Sequence, residues 1–153
     1  MNEEVAGPAP SQRLAELGLT LPSVAVPLAA YIPAIASAGQ VLTSGQLPTV
    51  QGALVATGKV GADVTVEQAT QAARVAVLNA LAAAASEVGG IDNIRRVVRM
   101  VVFVAGTPDF TAQPQVANGA SELLGEIFGP LGRHVRSAVG VASLPLDAPV
   151  ELE

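Results

Sequence analysis

The chain has no cysteine and no tryptophan, one tyrosine, three phenylalanines and a single histidine. Without cysteine there is no disulfide, no thiolate nucleophile and no cysteine-ligated metal. One histidine, His134, is too isolated for a metal centre, which needs several converging ligands. Scarce aromatics remove the stacking platform that single-stranded nucleic acid requires, and they leave core building to Ala, Val and Leu. Charge is sparse too. Only 14% of residues are charged, and acids outnumber bases 13 to 8, so the net charge of −5 argues against a phosphate-tracking surface. No apolar run approaches the roughly 20 residues of a membrane span. The start Met1-Asn2-Glu3-Glu4 lacks a basic-then-apolar leader pattern. A cytoplasmic protein without a membrane or nucleic-acid partner is expected.

Apolar residues, by contrast, are abundant. Half of the chain is hydrophobic and the mean hydropathy is +0.49. Such a chain is too apolar for disorder, and 153 residues suit one domain with a real core. The surplus apolar surface points to contacts between identical subunits.

Residues 1–10, rich in Pro, Gly and Ala, read as a flexible arm, and residues 11–27 as an N-terminal extension. Ser11 is placed to cap a short helix that runs through Leu17 and ends at Gly18. Prolines make residues 19–28 extended. The runs 31–37 and 41–44, around Ala38-Gly39-Gln40, predict a hairpin. Residues 52–61 have room for a short edge strand.

Thr65 and Gln68 form a capping-box pattern ahead of a helix over 66–88, stopped by Gly89-Gly90. Its apolar positions Ala69, Ala73, Val77, Ala80, Leu81, Ala84 and Val88 predict a narrow face of small residues. The β-branched run 97–104 predicts a central strand. Residues 113–128 predict a second helix that buries Val116, Ala120, Leu123, Leu124 and Ile127. Two closing strands complete the order hairpin, helix, strand, helix, hairpin. The α+β solution is a mixed sheet with two helices on one face. Its other face stays apolar and needs another subunit to cover it.

Arg136 opens the first closing strand, Leu144-Pro145 makes a turn, and Glu151 sits on the second. A guanidinium offers a planar fork that suits bidentate capture of a small carboxylate. A glutamate returning beside it can orient a water or shuttle a proton. The same pattern also fits an ordinary hairpin with two solvated charges. Five of the basic residues fall in two groups, Arg95, Arg96 and Arg99, then Arg133 and Arg136. The first group reads as a solvated or subunit-facing patch. His134 precedes Arg136 by two residues and reads as a bystander or hydrogen-bonding neighbour.

The stretch from Tyr31 to Pro48, with Thr43-Ser44-Gly45-Gln46-Leu47-Pro48, resembles the Rid/YjgF family, also labelled endoribonuclease L-PSP. So does Arg136-Ser137 through Leu144-Pro145 to Val150-Glu151-Leu152-Glu153. The resemblance covers about residues 28–153, and the segment before it suggests a longer-headed branch. It implies a chorismate-mutase-like fold of the bacillus type, assembled as a homotrimer with clefts between subunits. It also implies hydrolysis of 2-imino or enamino acids to 2-keto acids and ammonia, without metal or organic cofactor.

By the resemblance, Arg136 matches the arginine that holds the substrate carboxylate and Glu151 the glutamate that positions water. Tyr31 matches the cleft tyrosine, Ser44 and Gly45 the substrate-facing loop, and Asn118 an asparagine near the site. Ala138 stands where many active members carry cysteine, and its backbone carbonyl could hold a water. Pro33 replaces the usual serine or glutamine. Glu153 ends the chain where family strands continue, so fraying is expected near Glu151. Ser44 has no evident base partner and reads as a hydrogen-bonding loop residue. A non-catalytic carboxylate-binding protein on the same fold is the alternative to a deaminase. The acidic balance and lone histidine weigh against a ribonuclease.

Overall fold

The computed structural model describes residues 7–27 and 30–153. Most of the expected arm (residues 1–6) and the end of the expected extended segment (Leu28) lie outside the described residues.

Helix α1 spans Pro10–Glu16, with proline in its first turn, where a missing N–H costs nothing. Ser11 is not its cap. It lies inside the first turn, and its N–H and hydroxyl donate to Asp92 Oδ1 and Oδ2 at 2.8 and 2.6 Å. A carboxylate distant in sequence thus caps this helix, and its charge suits the positive helix end. The two hydrogen bonds from Ser11 hold the Asp92 carboxyl below its usual pKa range. Gly18, at φ +69°, ends the helix as expected, and the Leu19 N–H donates to the Leu14 carbonyl at 2.8 Å.

Strands β1 (Ala34–Ser37) and β2 (Gln40–Thr43) form the first hairpin. Ala38 and Gly39, at φ +50° and +78°, supply the tight turn with positive φ that matches strand twist. β1 starts later than predicted, just after Pro33, which has no N–H to give a ladder. A miniature hairpin follows, β3 (Thr49–Val50) and β4 (Ala53–Leu54).

Helix α2 spans Val66–Val88. Both reciprocal bonds of the capping box form: Gln68 N–H to Thr65 Oγ1 at 3.1 Å, and Thr65 N–H to Gln68 Oε1 at 2.9 Å. Its buried face is wider than predicted. Ala72, Ala76, Asn79, Ala82, Ala83 and Ala85 are buried as well, while Ala84 and Val88 are only partly so. The cause is that α2 packs against the first hairpin, the sheet and the second long helix at once. That helix, α3, spans Gln113–Phe128 and buries all five predicted residues. The two approach so closely at Gly119 that a Cβ there would stand 2.2 Å from the Thr70 carbonyl oxygen. Only glycine fits that crossing.

Strands β5 (Arg99–Ala105), β6 (Val135–Val141) and β7 (Val150–Leu152) form one sheet in the order β6-β5-β7. β5 pairs parallel with β6 and antiparallel with β7. The closing strands are therefore not a hairpin. Parallel pairing through α3 sets β6 on one side of β5, and residues 142–149 then carry the chain across to the other. Gln46 extends the sheet by exchanging two backbone hydrogen bonds with Leu152, at 2.7 and 3.1 Å. Nor does the chain fray. Glu153 exchanges bonds of 3.0 and 2.8 Å with Val101.

Val102, Val104, Val150 and Leu152 face the helices and are buried, meeting Leu123 and Ile127. Each such side chain contributes roughly 1.5–3 kcal/mol. The other face remains apolar and open: on β6, Val135 is 67% exposed and Val139 43%. This is the α+β architecture with both long helices on one face of a mixed sheet.

Candidate active site

Arg136 is the second residue of β6 and stands in register with buried Met100, so its side chain turns towards α3. There its Nη1 donates to Asn118 Oδ1 at 2.8 Å and Ser121 Oγ at 3.0 Å, and its Nη2 to the Pro114 carbonyl at 3.4 Å. Every one of these acceptors is neutral. The ion pairs among the described residues are Arg13–Glu16, Lys59–Asp147 and Arg74–Glu126, and none includes Arg136. Three of the five guanidinium N–H groups are thus used. The Nε–H and one Nη2–H have no acceptor among the described residues, and Nε and Nη2 share one edge of the planar group. A carboxylate matches that spacing.

An open groove of about 450 Å³ lies beside it, lined by Ser121, Gly125, Gly132, Arg133, His134 and Arg136. His134 Nε2 lies 3.0 Å from Ser121 Oγ, and Nδ1 lies 2.6 Å from the Gly132 carbonyl oxygen. Ser121 escaped the sequence reading because a serine on a partly exposed helix face carries no signal. Among the described residues, no group of three His, Asp or Glu converges to hold a metal.

Glu151 occupies a different place. It alternates with buried Val150 and Leu152 and registers with Phe103, so it projects from the face opposite Arg136. Its carboxylate lies directly over Gly45, where a Cβ would come 2.1 Å from Oε1. Burial pushes its pKa above the ordinary 4.5, and the negative charge of Glu153 adds to the shift. A carboxylate raised in this way is a better base than a solvated one.

The Ser44–Gly45 loop is tied down on several sides. The Ser44 N–H donates to the Pro33 carbonyl at 2.8 Å, and its hydroxyl to the Ile32 carbonyl at 2.6 Å. Asn79 Nδ2, buried within α2, donates to the carbonyls of Leu47 and Thr49, both at 3.0 Å. Asn79 was overlooked in the sequence, although one amide inside the run Val77-Leu78-Asn79-Ala80-Leu81 is a readable sign of a buried anchor. Tyr31 lies just before this loop's anchors and is 46% exposed.

Ala138 registers with Val102 and packs its methyl group against the core. Val135 donates its N–H to Val98. In a parallel ladder the alternate residues Arg136 and Ala138 therefore turn their backbone groups to the unpaired outer edge of β6. The expected site residues thus form two groups. Arg136, Asn118 and the Ala138 backbone lie along β6 and α3, while Glu151, Ser44, Gly45 and Tyr31 gather around β7 and the first hairpin. The expectation that Glu151 returns beside Arg136 fails within one chain, because β5 stands between them and they leave opposite faces.

The sequence profile described as "YjgF/chorismate mutase-like, putative endoribonuclease" matches residues 11–151. The chain belongs to the YjgF/Rid family. This YjgF/Rid chain is 43% identical over 141 residues to Protein TCP17 of Trypanosoma cruzi, covering 92% of this chain and 88% of that one. It superposes on a "putative endoribonuclease" from Shewanella oneidensis MR-1 with a TM-score of 0.91 at 36% identity, covering 95% and 96% of the two chains. E. coli TdcF, solved with bound serine, shares the fold at 23% identity and a TM-score of 0.58, over 86% of this chain and 89% of its own. The first two mark a branch of the YjgF/Rid family that is distinct from the TdcF-like one. All of α1 except Pro10 lies inside the matched region, so the family resemblance reaches further towards the N-terminus than residue 28.

Proposed function

We propose that this protein hydrolyses 2-imino acids, and the enamino acids that tautomerise to them, to 2-keto acids and ammonia. The observation that carries the reading is the Arg136 guanidinium: it has neutral anchors and, among the described residues, no carboxylate partner and two N–H groups without an acceptor. A cation without an ion-pair partner among the described residues, beside a groove, is suited to a carboxylate, and TdcF with bound serine is a fold relative that holds a small carboxylate-bearing molecule. A homotrimer is part of the proposal. Packing the edge of β6 from one subunit against the hairpin side of the next would join the two residue groups and cover the apolar open face.

In this reading the substrate carboxylate docks on Nε and Nη2 of Arg136, which Asn118 holds in place. The imine carbon is then fixed against a water. Glu151 of the adjoining subunit takes a proton from that water as oxygen adds to the carbon of the protonated imine, giving a neutral carbinolamine. It gives that proton to the nitrogen, takes up the hydroxyl proton as the carbon–nitrogen bond breaks and the carbonyl forms, and 2-keto acid and ammonia leave. The Ala138 carbonyl accepts from the water or the imine N–H. Tyr31, Ser44 and Gly45 wall the cleft. The substrate is already electrophilic, so a sparse site suffices.

The test generates 2-iminopropionate and bulkier imino acids in situ with an amino-acid oxidase and traps survivors with semicarbazide. Wild type is expected to reduce trapping and Arg136→Ala to leave it unchanged. Equal trapping with wild type, variant and no protein, across side-chain sizes, removes the enzyme reading. It then favours a carboxylate-binding protein without turnover, a reading that the separation of Arg136 from Glu151 in one chain also accommodates.

A further inference from the structure

We infer that His134 is a positioning residue for Arg136, acting through Ser121 to fix the fork that receives a carboxylate. The inference rests on the proposed carboxylate role of Arg136 and deepens it. Four groups stand in one chain of hydrogen bonds: the Gly132 carbonyl, His134, Ser121 and Arg136.

The direction of each bond follows from chemistry. A carbonyl oxygen only accepts, so the contact of 2.6 Å requires the proton on His134 Nδ1. In the neutral imidazole Nε2 is then a bare acceptor, and the partner 3.0 Å away, Ser121 Oγ, must donate to it. With its only proton committed, Ser121 presents nothing but lone pairs to Arg136 Nη1, also at 3.0 Å. Asn118 Oδ1 takes the other Nη1 proton. Both Nη1 protons are thereby fixed, and a planar guanidinium held at one nitrogen has its remaining edge fixed as well.

Without His134 the serine hydroxyl is free to rotate, and a helical serine then tends to donate to the carbonyl four residues back. Arg136 would keep its charge and lose a directional anchor. The expected loss is therefore in aim, and not in fold.

His134 is the sole histidine, so its imidazole nitrogens give unambiguous NMR signals. The first expected result is the Nδ1–H tautomer in wild type, with Nε2 unprotonated; an Nε2–H tautomer overturns the inference. The second measurement titrates full-length protein with pyruvate as the carboxylate probe, by calorimetry, with thermal melts as the folding control. His134→Leu is expected to weaken pyruvate binding roughly five- to tenfold. His134→Gln, whose terminal oxygen reaches the Nε2 position, is expected to restore most of it. Ser121→Ala with His134→Leu should bind no worse than Ser121→Ala alone, because the relay is already broken.

Wild-type affinity in His134→Leu, or strictly additive losses in the double variant, overturns the positioning role. A loss of binding in Arg136→Ala with none in His134→Leu overturns this inference and leaves the proposed function standing. Equal pyruvate affinity in wild type and Arg136→Ala overturns both.

Discussion

The carboxylate of Glu151 lies over Gly45 at a distance that no side chain could share, since a Cβ there would meet Oε1 at 2.1 Å and the carboxyl carbon at 2.9 Å. The atoms met first belong to the end of a flexible side chain and not to backbone. Gly45→Ala should therefore swing the carboxylate aside without disturbing the sheet. We expect the melting temperature to stay within a few degrees and imine turnover to fall about tenfold or more. Semicarbazide trapping beside a circular-dichroism melt checks this. Unchanged turnover would separate Glu151 from the chemistry.

The raised pKa of Glu151 predicts a direction in pH. Burial is the main cause and Glu153 the second. The ascending limb of kcat/KM should thus have its midpoint above the ordinary 4.5. Glu153→Gln removes the like charge and should move that midpoint to lower pH. For stability the sign is opposite to that of a salt-bridged carboxylate. Between the unfolded and folded pKa values the native state binds more protons, so stability contributed here falls as pH rises through that window. Glu151→Gln should then unfold at higher denaturant than wild type at neutral pH, and at the same denaturant well below pH 4.5. Equilibrium urea titrations at both pH values decide it.

Asn79 offers a test that does not depend on activity. Its Nδ2 satisfies two loop carbonyls, and the residue is 3% exposed on a helix face otherwise made of alanine, Val77 and Leu81. Asn79→Leu fills a similar volume but strands those carbonyls. The cost should be about 2–3 kcal/mol in urea unfolding. Because Leu47 and Thr49 follow the Ser44–Gly45 loop directly, turnover should drop as well. A loss below about 0.5 kcal/mol would mean that water replaces the amide.

What could be read from the sequence was local. The capping box of Thr65 and Gln68, the stop at Gly89 and the apolar face of α3 each depend on residues within a few positions of one another. They came out as expected. Pairings across long separations did not. Nothing local distinguishes a strand that returns beside β6 from one that passes over β5, so Glu151 was expected on the wrong side of the sheet. Ser11 looked like a cap because the carboxylate that performs the task, Asp92, is 81 residues away. The site followed the same rule. The family motifs marked Arg136, Ser44 and Gly45 by residue type. Ser121, His134 and Asn79, which hold those residues in place, could be assigned their parts only once α2 and α3 were packed.

The replacement Arg136→Lys discriminates a fork from a mere charge. Lysine keeps the positive charge but presents a single ammonium on a flexible stem. It can satisfy either the neutral acceptors Asn118 and Ser121 or a ligand carboxylate, and not both in the present geometry. If bidentate capture is what Arg136 does, Lys should lose most of what Ala loses, with kcat/KM down by about 30- to 100-fold, corresponding to roughly 2–3 kcal/mol. The fold should hold, because Met100, Val102 and the rest of the helix-facing core are untouched. A lysine variant within about threefold of wild type would show that charge alone attracts the substrate. The three neutral anchors around the guanidinium would then be features of the fold and not of the site.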